Sequence, residues 1–272
     1  MLQTYIPKAP LADYVHMFWY WAGYHPPHKK ERILPHGLME MTINLADEPL
    51  VFSYPEDGYV PHPIYGPIVA GARSDYFVID TNRPASILSV WFKAGGARAF
   101  FGASANALHN QHLSLDVLWG YDAHDLYCQL LEAPSTVHRF RLLETALTNR
   151  LKRASVRHRA VDYALNAFSK QPHNITIAQI VDEIALSPTR FIQVFREEIG
   201  ITPKLFCRVQ RFQHALSLIA QQRHHSWTDV ALRCGYFDQA HFINDFQHFA
   251  GITPTMYAPQ SPDHNSNLPF FE

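Results

Sequence analysis

The sequence predicts an α+β N-terminal domain, a small β-barrel or sandwich plus helices, followed by an all-α domain with two helix-turn-helix motifs. The chain has 272 residues, enough for two domains with separate cores. Short apolar runs among Pro, Gly and Asp turns occupy the first half, and one helical unit is written twice near the C-terminus. We therefore predict a β-rich domain with C-terminal helices over 1–152, a helical domain over 155–258 and a flexible tail over 259–272.

The strands of the N-terminal domain are predicted by four apolar runs of strand length. These runs are Leu38 to Leu45, Pro67 to Ala70, Tyr76 to Ile79 and Ile87 to Phe92. From Ala97 the pattern becomes helical, with amphipathic stretches from Ala123 to Leu131 and from Thr136 to Leu151. The second stretch has an apolar stripe that either pairs with a second subunit or packs on its own barrel, and the sequence leaves both open. The stripe consists of Phe140, Leu143, Leu147 and Leu151.

The helical unit of the C-terminal half occurs twice with matching landmarks. Phe191, Phe195 and Gly200 to Pro203 return 51 positions later as Phe242, Phe246 and Gly251 to Pro254. Each helix of each copy is preceded by a side chain that can cap its free N–H groups. These caps are Thr176 and Ser187 in the first copy, and Ser226 and Asp238 in the second. The pattern predicts two tandem helix-turn-helix units.

A helix-turn-helix presents the outer face of its second helix at a fixed angle to another surface, usually the major groove of duplex DNA. One such unit could equally be a packed pair of helices in an all-α domain. Two units with matching N-caps and with a glycine at the same place after each second helix favour DNA binding, because packing alone does not require the repetition. A module that binds other proteins would show apolar or acidic outer faces, whereas these faces are polar.

The second copy resembles the signature of the AraC/XylS family of bacterial transcription regulators. The resemblance lies in Val230 to Phe242, Phe246 and Gly251 to Pro254, and it extends from roughly Arg157 to Tyr257. It implies a seven-helix DNA-binding domain whose two recognition helices enter successive major grooves, joined by a rigid linker helix. Pro203 through Gln222 fits that linker. The implied partner is double-stranded promoter DNA, with RNA polymerase as a second partner if the protein is an activator.

The resemblance also implies, position by position, which side chains meet DNA. Those expected to face bases are Thr189, Ile192 and Gln193 in the first recognition helix, and Gln239, Ala240, His241 and Asn244 in the second. Those expected to contact phosphates are Arg190, Arg196 and Gln247. Gln and Asn can hydrogen-bond adenine, and the Ala and Ile methyl groups can touch thymine, so an A·T-containing site is favoured.

Two positions depart from the family pattern. Asn244 stands where many members carry an arginine, which removes a guanine contact, and Ala185 stands in the first turn where a glycine is usual. From Ser155 to the end, ten Lys/Arg are balanced by ten Asp/Glu. A basic DNA-binding surface must therefore arise from the arrangement of the side chains.

The N-terminal half resembles, more loosely, the sensor-like domain that precedes the DNA-binding domain in some family members. The residues that carry this resemblance are Pro10-Leu11, Tyr14-Val15, Trp19, Leu34 to Gly37, Glu40, Asn44-Leu45 and Lys93 to Ala97. Such a domain implies control by a small-molecule effector and assembly into a homodimer.

The alternative is a metal-dependent, cupin-like enzyme domain fused to the DNA-binding module. His36 and Glu40 share one face if they lie in a strand, and His25, His28 and His62 are near in sequence. The sequence offers no nucleophile with its base and no phosphate-cradling glycine loop, and its three cysteines are widely spread. We predict no catalytic residue, no metal and no cofactor.

Whole-chain composition is typical of a soluble globular protein, with 47% hydrophobic residues, 17% charged residues and a net charge of −1. This charge favours neither an acidic nor a basic partner. Residues Met1 to Pro10 lack the apolar core of a signal peptide, and no apolar run approaches the length of a membrane span. We expect a cytoplasmic protein without a membrane partner.

Overall fold

Two antiparallel sheets form the N-terminal half of the computed structural model, which describes residues 2–151, 157–170, 176–221, 226–259 and 265–270. The first sheet consists, in spatial order, of β1 (Leu2–Tyr5), β2 (Val15–Tyr24), β9 (Ala85–Phe92), β4 (Glu40–Asn44), β7 (Pro67–Ala70) and β10 (His112–Ser114). The second consists of β11 (Asn267–Pro269), β3 (Lys30–Ile33), β8 (Phe77–Asp80), β5 (Leu50–Ser53) and β6 (His62–Ile64). The predicted β-barrel or sandwich is confirmed.

The four strands predicted from apolar runs are present as β4, β7, β8 and β9. The longest strand, β2, carries large apolar side chains on both faces and therefore shows no alternation in the sequence. Its Phe18 and Tyr20 are buried in the core, whereas Trp19 and Trp21 on the opposite face are half-buried.

The prediction of a flexible tail over 259–272 is wrong for 267–269. These residues form β11, which pairs antiparallel with β3 and buries the side chain of Leu268. Next to this pair, the backbone N–H of Leu34 donates to the carbonyl oxygen of Ser266 at 2.8 Å. A strand of three residues has little local signal, because its stability comes from pairing with a segment far away in the chain. Residues 260–264 and 271–272 lie outside the described residues.

The main core of the N-terminal half lies between one face of the first sheet and the helices that follow it. These helices are α1 (Arg98–Phe101), α2 (Asp116–Trp119), α3 (Tyr121–Glu132) and α4 (Thr136–Leu151). The sheet contributes Phe18, Met41, Val69, Leu88, Val90 and Phe92, and the helices contribute Phe100, Leu126, Leu130, Leu143 and Leu147. The same apolar cluster continues into the C-terminal half through Phe168, Phe195 and Phe206, so the two halves are packed together.

The apolar stripe of α4 packs on its own sheet. Phe140 lies 5.7 Å from the ring of Tyr5 and 6.2 Å from that of Phe18, measured between centroids. Leu143 and Leu147 are fully buried in the same cluster. Of the two alternatives left open by the sequence, this stripe takes the intramolecular one, and a dimer would need another surface.

The C-terminal half is all-helical and contains both predicted helix-turn-helix units. Its helices are α5 (Arg159–Lys170), α6 (Ile177–Ile184), α7 (Pro188–Ile199), α8 (Pro203–Ala220), α9 (Trp227–Arg233) and α10 (Gln239–Ala250). A 3-10 turn at Pro254–Met256 follows them. The linker predicted over Pro203 to Gln222 is α8, with Gln222 outside the described residues, as is the predicted domain boundary at 152–155. None of the helices in the described ranges is long and apolar enough to cross a membrane.

All four predicted N-caps are confirmed. Thr176 and Gln179 form a capping box, in which the Thr176 hydroxyl accepts from the Gln179 N–H and the Gln179 side chain accepts from the Thr176 N–H. The hydroxyls of Ser187 and Ser226 and the carboxylate of Asp238 accept from backbone N–H groups three residues onwards. Each repeated unit therefore starts its two helices with a side-chain acceptor.

Ala185 ends α6 in the left-handed conformation, with φ of 53°. This conformation costs a residue with a Cβ roughly 1–2 kcal/mol, whereas glycine adopts it freely. The backbone angle therefore places strain at this turn.

We predict that Ala185→Gly stabilises the protein by up to about 1 kcal/mol, because relief of strain exceeds the greater entropy of an unfolded glycine. Ala178→Gly, at an exposed right-handed position of α6, is the matched control and should destabilise by about 1 kcal/mol. Denaturant unfolding measures both. Equal destabilisation by the two variants would contradict the prediction.

Candidate nucleic-acid interface

Clusters of buried phenylalanines fix the two recognition helices, α7 and α10. Behind α7, Phe195 makes edge-on contacts with Phe168, Phe191 and Phe206, at centroid distances of 6.1, 5.7 and 5.8 Å. Behind α10, Phe246 contacts Phe212 and Phe242 at 5.4 and 5.7 Å. Because the rings fill one side of each helix, the opposite side is held towards solvent.

The outer face of α7 is accessible at every position expected to meet DNA. Thr189, Arg190, Ile192, Gln193 and Arg196 are all exposed. The Gln193 side-chain amide donates to the Glu197 carboxylate at 2.9 Å. A base contact by this amide would therefore compete with, or share, that hydrogen bond.

The outer face of α10 is similarly open, and an additional threonine supports it. The exposed residues are Gln239, Ala240, Asn244 and Gln247, whereas His241 is half-buried. The Thr228 hydroxyl, on α9, donates to the Gln239 side-chain oxygen at 2.8 Å. His241 stands edge-on to Tyr236, with ring centroids 5.2 Å apart, and its Nε2 lies 3.9 Å from Asp245. Sequence reasoning missed Thr228, which lies one helix before the residue it orients.

Phe237 was also missed by sequence reasoning. It immediately precedes the Asp238 cap of α10 and is 89% exposed. Nearby in the chain, Leu232 on α9 is 65% exposed. The second unit therefore has large apolar side chains as well as polar ones on its surface. Phe237 could have been identified from the sequence, because it is a large aromatic residue just before an N-cap.

Two arginines of α8 attach the second unit to the linker helix. Arg208 donates to the buried Asp245 carboxylate of α10 at 2.7 Å, and its guanidinium lies 5.2 Å from the centroid of Phe249. Arg211 donates to the carbonyl oxygen of Gly235, in the turn between α9 and α10, at 3.1 Å. The turn and the recognition helix are thus both fixed to α8 by charged groups.

Arg196 has a partner in the N-terminal domain. Its Nε and Nη2 atoms donate to the Asn106 side-chain oxygen at 3.0 and 2.6 Å. Asn106 belongs to a 3-10 turn, Ala105–Leu108, that packs against α7. The guanidinium remains exposed, so its other N–H groups can reach a ligand.

Two of the motifs that carry the resemblance of the N-terminal half, Leu34 to Gly37 and Lys93 to Ala97, line the contact with the helical domain. The carbonyl oxygens of Pro35 and His36 accept from the side chains of Gln213 and Gln210 on α8, at 2.8 and 3.1 Å. The segments around Gly37 and Gly95 line a narrow cleft that is closed by Glu198 and Ile199 of α7. The sequence pattern indicated these motifs but not their position between the domains.

A salt bridge closes the contact between the domains at α7. The carboxylate of Glu198 is buried, and it accepts from Arg98 at 3.0 Å and from the His158 N–H at 2.9 Å. Burial raises the pKa of this carboxyl, and the hydrogen bond from His158 and the charge of Arg98 partly oppose that shift. A cation of the N-terminal domain thus neutralises a carboxylate at the C-terminal end of the first recognition helix.

A second candidate site lies on the face of the first sheet that is turned away from the main core. Cross-strand partners place Trp19 beside Ser89, Ser89 beside Thr42, and Trp91 beside Glu40. The same register continues through Ala70 to His112, whose ring stacks on Phe52 of the second sheet at 4.2 Å. We call this surface the tryptophan face: Trp19, Glu40, Thr42, Ser89, Trp91 and His112. It faces the second sheet.

The tryptophan face combines the half-buried ring of Trp19 and the exposed ring of Trp91 with polar atoms. Glu40 accepts from the hydroxyl of Ser89 and from the Trp91 indole at 2.7 Å, and burial raises the pKa of its carboxyl. Among the described atoms, the buried Trp19 Nε1 and Arg73 Nη2 have no hydrogen-bond partner. Arg73 lies against Tyr54 and Phe77, at 5.1 and 4.9 Å from their ring centroids. Both are buried N–H donors.

The histidines considered as metal ligands are spread over the N-terminal half. His28 pairs with Glu31 at 3.2 Å, His62 pairs with Asp57, and His25 donates to the carbonyl oxygen of Thr81 at 3.1 Å. His36 accepts from the Leu38 N–H, and burial, with the charge of Arg73, lowers its pKa to about 4. Within the described ranges, no three His, Cys, Asp or Glu side chains are grouped as metal ligands.

Comparison with known proteins gives two family matches. Residues 180–260 match the model of a helix-turn-helix domain, and residues 3–114 match a domain of unknown function, DUF6597. An uncharacterized helix-turn-helix transcriptional regulator of Haemophilus influenzae is 31% identical over 104 residues, which are 38% of this chain and 35% of that protein. The transcriptional regulator GadX of Escherichia coli is 37% identical over 97 residues, 35% of this chain and 34% of that protein.

These alignments span about a third of each relative, 35% and 34%. Among solved structures, ToxT from Vibrio cholerae aligns over 94% of this chain and 97% of its own, with 12% identity and a TM-score of 0.47. The match to the helix-turn-helix model agrees with the repeated, capped helices and the two exposed recognition faces. Residues 180–260 of this chain form a helix-turn-helix domain similar to those of helix-turn-helix transcriptional regulators.

Proposed function

We propose that this chain is a sequence-specific DNA-binding transcription regulator whose recognition helices α7 and α10 enter successive major grooves. The observation that carries the proposal is the pair of exposed polar helix faces held before and after one linker helix, α8. Successive major grooves on one side of a duplex are about 34 Å apart. Two recognition helices joined by such a linker can span this distance.

Under this proposal, residues 155–258 bind DNA, and residues 1–152 form a sensor domain that sets the dimer state or responds to an effector. The chain is a regulator without catalytic activity, and it works where promoter DNA lies, in the bacterial cytoplasm. RNA polymerase is a further partner if the protein activates transcription.

Base contacts are assigned to Thr189, Ile192, Gln193, Gln239, Ala240, His241 and Asn244, and phosphate contacts to Arg190, Arg196 and Gln247. The exposed amides and methyl groups favour A·T pairs at several positions. Selection of bound sequences from random duplex DNA tests the function. Enrichment of a site with two half-sites about one helical turn apart supports it, whereas absence of any enriched sequence at low salt contradicts it.

The assigned roles predict different effects of three substitutions. Gln193→Ala and Asn244→Ala should each cost about 1–3 kcal/mol on the selected site and relax base preference at one position. Arg196→Ala should weaken binding to selected and random duplexes alike, because phosphates carry no sequence information directly. Titrations on both DNAs measure the effects, and equal losses on both for all three variants would contradict the roles.

Asn106 gives an independent test of Arg196, because it competes with phosphate for the guanidinium. We predict that Asn106→Ala raises affinity for all duplexes by up to about fivefold, the value of one hydrogen bond of about 1 kcal/mol. The double variant Asn106→Ala with Arg196→Ala is the control and should show no such gain. A gain that persists in the double variant would show that Asn106 acts through another group.

We further propose that the effector is a small polar molecule bound between the tryptophan face and the second sheet. The unpartnered donors of Trp19 and Arg73 suit a ligand with hydrogen-bond acceptors, and the Glu40 carboxylate suits a hydroxyl or amine on the same molecule. The tryptophan rings supply apolar area for its carbon skeleton.

A thermal-shift screen with a panel of sugars and small carboxylates tests this site. A ligand of the native state raises the unfolding midpoint by mass action. We expect any such rise to disappear in Trp91→Ala and Glu40→Gln and to persist in Tyr121→Ala, a change at an exposed tyrosine of α3, which lies on the core side of the first sheet. A rise that is unchanged in the first two variants would locate the ligand elsewhere.

A further inference from the structure

The C-terminal ends of both recognition helices contact one short segment of the N-terminal domain, residues 71–76 between β7 and β8. Gly200 ends α7 and Gly251 ends α10, both in the left-handed conformation. A methyl group added at Gly200 would lie 3.0 Å from Cβ of Ala72, and one added at Gly251 would lie 2.5 Å from Cε1 of Tyr76. Both repeated glycines therefore lie against this segment.

The second unit has an additional attachment through Arg32 of β3. The buried Arg32 guanidinium donates to the carbonyl oxygen of Ala250, the last residue of α10, at 2.8 Å. It also lies 4.6 Å from the ring centroid of Tyr76 and 5.1 Å from that of Phe270. A cation is favourable at a helix C-terminus, where carbonyl groups lack partners. Arg32 and Tyr76 thus hold the rear end of the second recognition helix.

The first unit is attached to the same body by a buried salt bridge. Arg98 of α1 binds the buried Glu198 carboxylate at 3.0 Å. Both recognition helices are consequently fixed at their C-terminal ends, while the N-terminal ends expected to meet bases stay exposed.

Such a double attachment matters because α8 alone leaves the angle between the units sensitive to small bends. This helix has 18 residues and is about 27 Å long. A rotation of about 10° at one end of it moves its far end by about 5 Å, more than the 3.4 Å between base pairs. Contact of the C-terminal ends of α7 and α10 with the same segment fixes the angle between the two units.

We propose that the segment 71–76 and Arg32 form a positioning surface that fixes the angle between the two recognition helices and so sets the spacing of DNA half-sites. This inference rests on the proposed DNA-binding function. It assigns part of the sequence selectivity to residues of the N-terminal domain that touch no DNA.

The test measures affinity for duplexes whose two selected half-sites are moved together or apart by one base pair. Each step shifts one half-site by about 3.4 Å and rotates it by about 34°. Wild-type protein should lose at least about tenfold in affinity for either change. Arg32→Met should bind the preferred spacing about fivefold more weakly and vary by less than about threefold across the three spacings. Arg83→Met removes an exposed arginine of the same domain and should keep the wild-type profile.

Thermal unfolding establishes that each variant is folded. If Arg32→Met is not, Tyr59→Phe removes only the 2.6 Å hydroxyl contact to Tyr76, and a partly flattened profile is expected. A wild-type spacing profile in the folded variant would overturn this inference alone, even if affinity falls uniformly. Equal affinity of the wild-type protein for all three spacings would also overturn this inference, whereas absence of sequence-selective binding by the wild-type protein would overturn the proposed function, and this inference with it.

Discussion

Burial of phenylalanine on one side of each recognition helix is the interaction on which the rest of the structure depends. Phe191 and Phe195 in α7, and Phe242 and Phe246 in α10, are fully buried. Their removal from water stabilises the fold by roughly 1.5–3 kcal/mol for each ring. Each helix then has one orientation about its axis that buries the rings and exposes the polar side chains. That orientation determines where the polar outer faces, the N-caps and the C-terminal ends of the helices lie.

The contact between the halves extends this constraint to the N-terminal domain. One apolar cluster runs from the first sheet into α5, α7 and α8, and buried polar contacts at Glu198 and Arg32 accompany it. A buried carboxylate or guanidinium tolerates little change in geometry, because losing its partner leaves a desolvated charge. The helical domain is therefore a body supported along its rear surface, whereas a domain attached only through the chain between residues 151 and 157 would be free to reorient.

The sequence predicted what is local or repeated, and it missed what depends on distant contacts. The caps, the linker helix and the turn at Ala185 follow from residue type and spacing, and the structure contains them. By contrast, β2 has bulky side chains on both faces, and β11 forms only because β3 lies beside it. Leu34 to Gly37 and Lys93 to Ala97 were recognised as motifs, but their role between the domains needed the fold. The Asn106–Arg196 contact had no sequence signal, since its partners are 90 positions apart.

Arg73 connects the two proposals physically. It lies within the segment 71–76, and its Nη1 donates to the Asn110 carbonyl oxygen at 2.7 Å while Nη2 has no partner among the described atoms. The neighbouring Ala72 and Tyr76 contact the C-terminal ends of α7 and α10, respectively. A ligand that accepts from Arg73 would change the free energy of the segment supporting both recognition helices. Such a ligand alters DNA affinity only if it binds one arrangement of this segment more tightly, and DNA of the preferred spacing must then tighten ligand binding by the same factor.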